Sequence, residues 1–183
     1  MDSLLRTERD MENELESKRV DVVRKLLMMS ANKRIPLSKI YHNRLLFGIP
    51  EDFRDRVAEY PEYFRIVIED DGKRVLELVN WDSSLSVSAL EKEFMVDEVK
   101  VKKSIQKFPM KHGKALELDM EDERKLNILN TLPLVSPYSD GSKLDFRKLE
   151  AEKYRVRIIH EFLSLTLEKR AYIHNIVEFN GGI

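Results

Sequence analysis

The sequence predicts an α+β fold that is mostly helical, with a winged-helix-like module of three helices and a β-hairpin followed by further helices. Three observations predict it. Apolar residues recur at helical spacing through three segments that end before Pro61. The spacing then changes to alternation across residues 64–79, and helical spacing returns between Ser86 and Phe179. One compact unit is expected of a chain with 183 residues.

The first helix is read from Met11, Leu15, Val22, Leu26 and Met29, which lie on one face and run to about Ser30. That seam does not sustain the heptads of a coiled coil. A second helix starts in Arg34-Ile35-Pro36-Leu37-Ser38, with Pro36 in its first turn. Leu37, Ile40, Tyr41 and Leu45 form its apolar face and Gly48 its stop. Pro50 opens a third helix through Phe53, Val57 and Tyr60, and Pro61 ends it because proline has no helical N–H to give. Residues 64–69 and 74–79 alternate on either side of Asp70-Asp71-Gly72-Lys73, which is the pattern of a hairpin. With Asp71-Gly72 as a two-residue turn, Glu69 faces Arg74, Ile68 faces Val75 and Val67 faces Leu76.

Residues 21–79 therefore have the element order of a winged helix, a module that often binds nucleic acid through its third helix and its hairpin. Here the third helix carries Glu51, Asp52, Asp55 and Glu59 against Arg54 and Arg56, and the hairpin tip carries Asp70 and Asp71. Those acids would meet phosphates with like charge, so this helix and wing read as scaffold.

Residues 80–145 change character. Trp81-Asp82-Ser83-Ser84 reads as a turn, and Ser86 or Ser88 caps a short helix through Ala89, Leu90 and Phe94. Lys100, Lys102, Lys103, Lys107, Lys111 and Lys114 follow, with His112 among them and no acid. An acidic run at Glu117, Asp119, Glu121, Asp122 and Glu123 leads into a helical pattern through Leu126 and Leu129. Residues 131–142 are loop, with two prolines and a Ser/Asp/Gly cluster, and Ser142 with Asp145 forms a weak variant of a capping box. Residues 146–179 make one long helix or two abutting ones. Their core candidates are Val156, Ile159, Phe162, Leu163, Leu167, Ile173, Ile176 and Val177. Their polar side holds Arg147, Lys148, Lys153, Arg155, Arg157, Lys169 and Arg170.

Composition narrows the function classes. Hydrophobic residues make up 42% and charged residues 36%, the mixture of a globular domain with a charged surface. No apolar run approaches the roughly 20 residues of a membrane-spanning helix. A net charge of -1 and a pI near 6.5 mean that any nucleic-acid surface must be local. The absence of cysteine removes disulfides, thiolate zinc sites and cysteine nucleophiles together. His42, His112, His160 and His174 never take the spacing that puts two metal ligands on one helix face. No phosphate-cradling glycine loop and no nucleophile elbow is present, so neither an enzyme nor a bound cofactor is expected. The N-terminus, with its acids, is neither a secretory signal nor an acid-poor transit peptide.

Several motifs then resemble one family in the same order. They are Leu26-Leu27-Met28-Met29-Ser30, Pro36-Leu37, Phe47-Gly48-Ile49-Pro50-Glu51-Asp52-Phe53-Arg54, Tyr60-Pro61-Glu62-Tyr63-Phe64-Arg65 and Leu76-Glu77-Leu78-Val79-Asn80-Trp81-Asp82. Phe108-Pro109, Leu132-Pro133-Leu134-Val135-Ser136-Pro137-Tyr138 and the run from His160 to Arg170 continue the series. Together they resemble the plant organelle RNA recognition (PORR) domain, from about Glu16 to Phe179. Leu134 departs from the tyrosine usual in that family, and residues 112–130 do not match closely. The resemblance implies that the family's N-terminal segment and the transit peptide before it are missing here. It also implies a non-catalytic protein that binds group II intron RNA and promotes splicing in mitochondria, or alternatively in chloroplasts, with other splicing factors as further partners.

For phosphate contact the first candidates are Lys100, Lys102, Lys103, Lys107, Lys111 and Lys114, and the second Arg155, Arg157, Lys169 and Arg170. Tyr41, Tyr63, Tyr138 and Trp81 could stack on bases, but at these spacings core or half-buried packing is the better explanation of each. The competing reading is a protein-interaction scaffold built on the acidic module, with RNA binding mainly in the missing segment. A DNA-binding winged helix stands third, since the acids of the third helix oppose it.

Overall fold

The computed structural model describes residues 2–30, 32–95, 119–121, 123–124, 135–141, 144–145 and 147–180. The fold is α+β and predominantly helical, with a small antiparallel sheet. Where a single unit was expected, the chain divides into two: Met1–Ser86 with Glu161–Ile183, and Val87–His160.

The first unit begins with helix α1, Asp2–Met29. Its buried face is Val20, Val23, Leu26, Leu27, Met28 and Met29, whereas Met11 and Leu15 are exposed. The expected seam is thus corrected at its start: burial begins at Val20. The end of α1 is tightly satisfied. Ser30 donates through its backbone N–H to Leu26 and Leu27 and through Oγ to Leu27, and Lys33 Nζ reaches Met28 O at 2.5 Å and Ser30 O at 3.2 Å. A cation on the last carbonyls also suits the negative end of the helix dipole.

Strand β1, Arg34–Pro36, stands where a helix start was expected. Pro36 has no N–H to donate and sits at the end of an edge strand, a place that tolerates proline. It then serves as the N-cap of α2, Leu37–His42. Buried Asn43 separates α2 from α3, Arg44–Phe47, which Gly48 closes at φ +65°. Gly48 is doubly constrained, because a Cβ there would also press on Leu167 at 3.1 Å. The third helix is short: α4, Phe53–Arg56, runs into a 3-10 turn, Val57–Glu59, before Pro61.

Strands β2, Phe64–Ile68, and β3, Arg74–Leu78, form the hairpin, and β1 joins to give the order β1-β3-β2. The register is one residue away from the sequence reading: Arg65 faces Glu77, Ile66 faces Leu76, Val67 faces Val75 and Ile68 faces Arg74. The cause is the loop. The Gly72 N–H bonds Glu69 O, and Gly72 lies at φ +79°, so three residues, 70–72, turn the chain where two were expected. The slip re-pairs every residue, yet opposite charges and apolar residues still meet.

The C-terminal element is two helices, α6, Leu149–Leu165, and α7, Ile173–Asn180. Between them Lys169 adopts φ +55°, and Leu167 N–H bonds Leu46 O. Within the first unit Phe47, Phe162 and Phe179 pack with ring centroids 5.3–5.5 Å apart, and Lys25 Nζ meets Glu161 at 2.9 Å in a buried ion pair. Phe162 is core as expected, while Val156, Ile159, Leu167, Ile173 and Val177 are exposed. The break in the helix explains part of this, since helical spacing cannot be carried through residues 166–172.

In the second unit, Ser88 rather than Ser86 caps α5, Ala89–Met95: Glu91 accepts from the N–H and Oγ of Ser88, and Glu91 N–H donates back to that Oγ. Pro137, Tyr138, Ala151 and Ile158 are buried. Gly141 lies against Tyr154, whose ring a Cβ would strike, and Tyr154 Oη donates to Ser139 O at 2.9 Å. Burial, with Asp140 nearby, raises the Tyr154 pKa.

Candidate nucleic-acid interface

The six lysines from Lys100 to Lys114 lie outside the described residues. The second set is divided by the fold. Arg157 is only 1% exposed and its Nη2 donates to Ser88 Oγ at 3.0 Å, so it braces the capping box of α5. Lys153 is equally buried, and that burial, with Arg157 close by, lowers its pKa. Arg155 is half-buried. Lys169 and Arg170 are exposed, but Lys169 Nζ bonds Ser164 O at the end of α6 and Arg170 pairs with Glu168 at 2.5 Å. Burial therefore withdraws Arg157 from the exposed surface expected of it.

On the third helix and at the hairpin tip, Arg56 and Lys73 are occupied by acids. Arg56 is shared by Glu16, Asp52 and Glu59, and the Glu16 charge raises its pKa. Asp71 is ion-paired with Lys73, which lowers the carboxyl pKa and raises that of the amine.

A different set of residues meets at one end of the sheet. The backbone N–H of Leu78 bonds Lys33 O at 3.0 Å, and that of Val79 bonds Tyr63 O at 2.9 Å, so the end of β3 is held between the segments that enter β1 and β2. Trp81 follows two residues on, 46% exposed, with Lys33 Nζ 5.3 Å from its ring centroid. On the adjoining strands, Arg34 and Arg65 share Glu77: Arg34 Nη2 lies 3.3 Å from one oxygen, and Arg65 Nε and Nη2 lie 3.1 and 2.9 Å from the other. Both arginine side chains are well exposed, at 44% and 66%. The Arg65 hydrogen bond, more than that of Arg34, holds the Glu77 carboxyl below its ordinary range.

Behind this strip, Arg24 lies 4.2 Å from the Tyr63 ring centroid and donates to Asp82 at 2.7 Å. Asp82 also accepts from Ser84 Oγ and N–H, and these bonds, with Arg24, pull its pKa down to about 2. Arg34 was missed in the sequence because β1 was read as helix, and Arg65 because the expected hairpin register set it one residue away from Glu77; in the sheet both face Glu77 across the ladders. For Arg65 the signal was the alternation of residues 64–69, whereas the three residues of β1 carry none for Arg34. Among the described residues no group of acids and histidines could hold a metal ion, and no helix is long and apolar enough to cross a membrane.

Comparison with known proteins matches residues 1–182 to the plant organelle RNA recognition domain. Protein WHAT'S THIS FACTOR 1 homolog, chloroplastic, of Oryza sativa subsp. japonica is 39% identical over 178 residues, covering 92% of this chain and 35% of its own length. Protein WHAT'S THIS FACTOR 1, chloroplastic, of Zea mays is 39% identical over 176 residues, covering 91% and 35%. Protein WHAT'S THIS FACTOR 9, mitochondrial, of Arabidopsis thaliana is 31% identical over 159 residues, covering 82% and 40%. The chain thus spans about a third of the length of the first two relatives. No solved structure matches it. The match over nearly every residue, joined to relatives of this identity, means that the chain belongs to the plant organelle RNA recognition domain family.

Proposed function

We propose that this chain is a non-catalytic RNA-binding domain that acts in a plant organelle, where it binds group II intron RNA and promotes splicing. The observation that carries the reading is the family match over residues 1–182. The chemistry of splicing resides in the intron, and the protein's task is to offset phosphate repulsion and hold unpaired segments in place. The mitochondrial preference drawn from the sequence gives way to the chloroplast, because three relatives at 39% identity are chloroplastic by name and the mitochondrial one stands at 31%.

The element order α1-β1-α2-α3-α4-β2-β3 and the strand order β1-β3-β2 support a winged-helix-like reading of residues 21–79. In that reading the third helix and the wing are scaffold, since their acids outnumber their cations and oppose phosphate, and Arg56 and Lys73 are already paired with acids.

A second reading, a protein-interaction scaffold of an organellar splicing complex, is favoured by the net charge of -1 and by the ion pairing of the described cations. The test is to cross-link and recover RNA bound to the tagged protein in chloroplasts. Enrichment of group II intron segments, with failure of that intron to splice when the protein is removed, is expected. Recovery of splicing proteins without directly cross-linked RNA favours the scaffold.

A further inference from the structure

We propose that the sheet end formed by Lys33, Arg34, Arg65 and Trp81 is a binding site for single-stranded RNA, in which Trp81 stacks on an unpaired base and the two arginines hold the flanking phosphates. This rests on the RNA-binding reading above and assigns that reading to residues.

The chemistry is that of a stacking platform. Nearly half of the surface of Trp81 is open to solvent, although an indole of this size is usually well buried. Lys33 Nζ lies 5.3 Å from the ring centroid while bonding the carbonyls at the end of α1, and the Lys33 backbone carbonyl is bonded to β3, so a cation is positioned beside the ring. An exposed aromatic face beside fixed cations can accept a base by stacking.

Arg34 and Arg65 complete the site. Two guanidiniums share the single carboxylate of Glu77, so positive charge remains after that pairing, and both side chains are exposed. Glu77 holds the two forks next to each other, which suits oxygens of a sugar-phosphate backbone. Glu77 and Trp81 lie on one continuous stretch of chain, at most roughly 13 Å apart along an extended strand. A short run of single-stranded nucleotides can therefore meet both.

Trp81 is the only tryptophan in the sequence, so its fluorescence reads this site alone. The 183-residue chain would be titrated with a single-stranded RNA oligonucleotide of randomised sequence, and with an abasic strand of the same length. Binding would be followed in parallel by the anisotropy of a labelled copy. Quenching of Trp81 by the RNA but not by the abasic strand is expected. Trp81→Ala should weaken binding roughly 5- to 100-fold and Trp81→Phe less. Arg34→Ala with Arg65→Ala should weaken both strands. RNA that binds by anisotropy without quenching Trp81, and equally well to Trp81→Ala, overturns this site and leaves the RNA-binding reading intact. Failure of any RNA to bind overturns both. Circular dichroism of each variant separates loss of the site from loss of the fold.

Discussion

Two glycines show how the same backbone conformation carries different constraints. Gly48 and Gly72 both sit at positive φ, but a side chain at Gly72 meets open space whereas one at Gly48 meets Leu167. Gly72→Ala should cost about 1 kcal/mol from backbone strain alone, and Gly48→Ala about 2 kcal/mol or more, compared by urea unfolding. Equal costs would mean that Leu167 yields freely. Asp82 supplies a second test at this scale. Its folded pKa of about 2 lies below the ordinary 3.8, so its bonds to Ser84 and Arg24 stabilise the fold above the ordinary value and lose that effect as pH falls toward 2. Asp82→Asn should therefore flatten the dependence of stability on pH between about 4 and 2; an unchanged slope would assign that dependence to other carboxylates.

At the scale of elements, the sequence disclosed what its periodicities could carry. Alternation over residues 64–79 identified the hairpin, but loop length rests on whether Gly72 takes a left-handed turn position after a type I turn, and Asp71-Gly72 is compatible with both arrangements. Strand β1 was hidden because three residues show no period and Pro36 resembles a helix start. The apolar positions of the C-terminal element were over-read, since the break that leaves Leu167 and Ile173 exposed depends on Lys169 and on a tertiary bond to Leu46. The Lys25–Glu161 pair joins α1 to the last turn of α6 and could not be read from residues 136 positions apart. Glu161→Ala should destabilise by roughly 3–5 kcal/mol, measured by chemical denaturation, because it removes a partner of a buried ammonium. The double change Lys25→Met with Glu161→Leu should recover much of that loss; if it does not, the pair does more than neutralise charge.

For the whole molecule, charge distribution decides the account. The net charge is close to zero, and Arg24, Arg56, Arg65 and Arg170 are among the described cations joined to acids, so recognition of RNA depends on local concentrations of cation rather than on a basic surface throughout. Lys100 to Lys114 remain the sequence's first such concentration, and the Lys33–Arg34–Arg65 strip is the one that the sheet brings together. The candidate site was only partly legible: Trp81 stood out as a residue, but its neighbours come from three segments that meet through strand pairing. Residues far apart in sequence acquire a common chemistry only when that pairing is known.

The most direct measurement is the affinity of this chain for single-stranded organellar intron RNA across a salt series, beside a variant with Lys100, Lys102, Lys103 and Lys107 changed to Glu. Binding at low salt that weakens steeply as salt rises is expected, with a marked loss of affinity in the variant. No binding by the unmodified chain at low salt would contradict the RNA-binding reading.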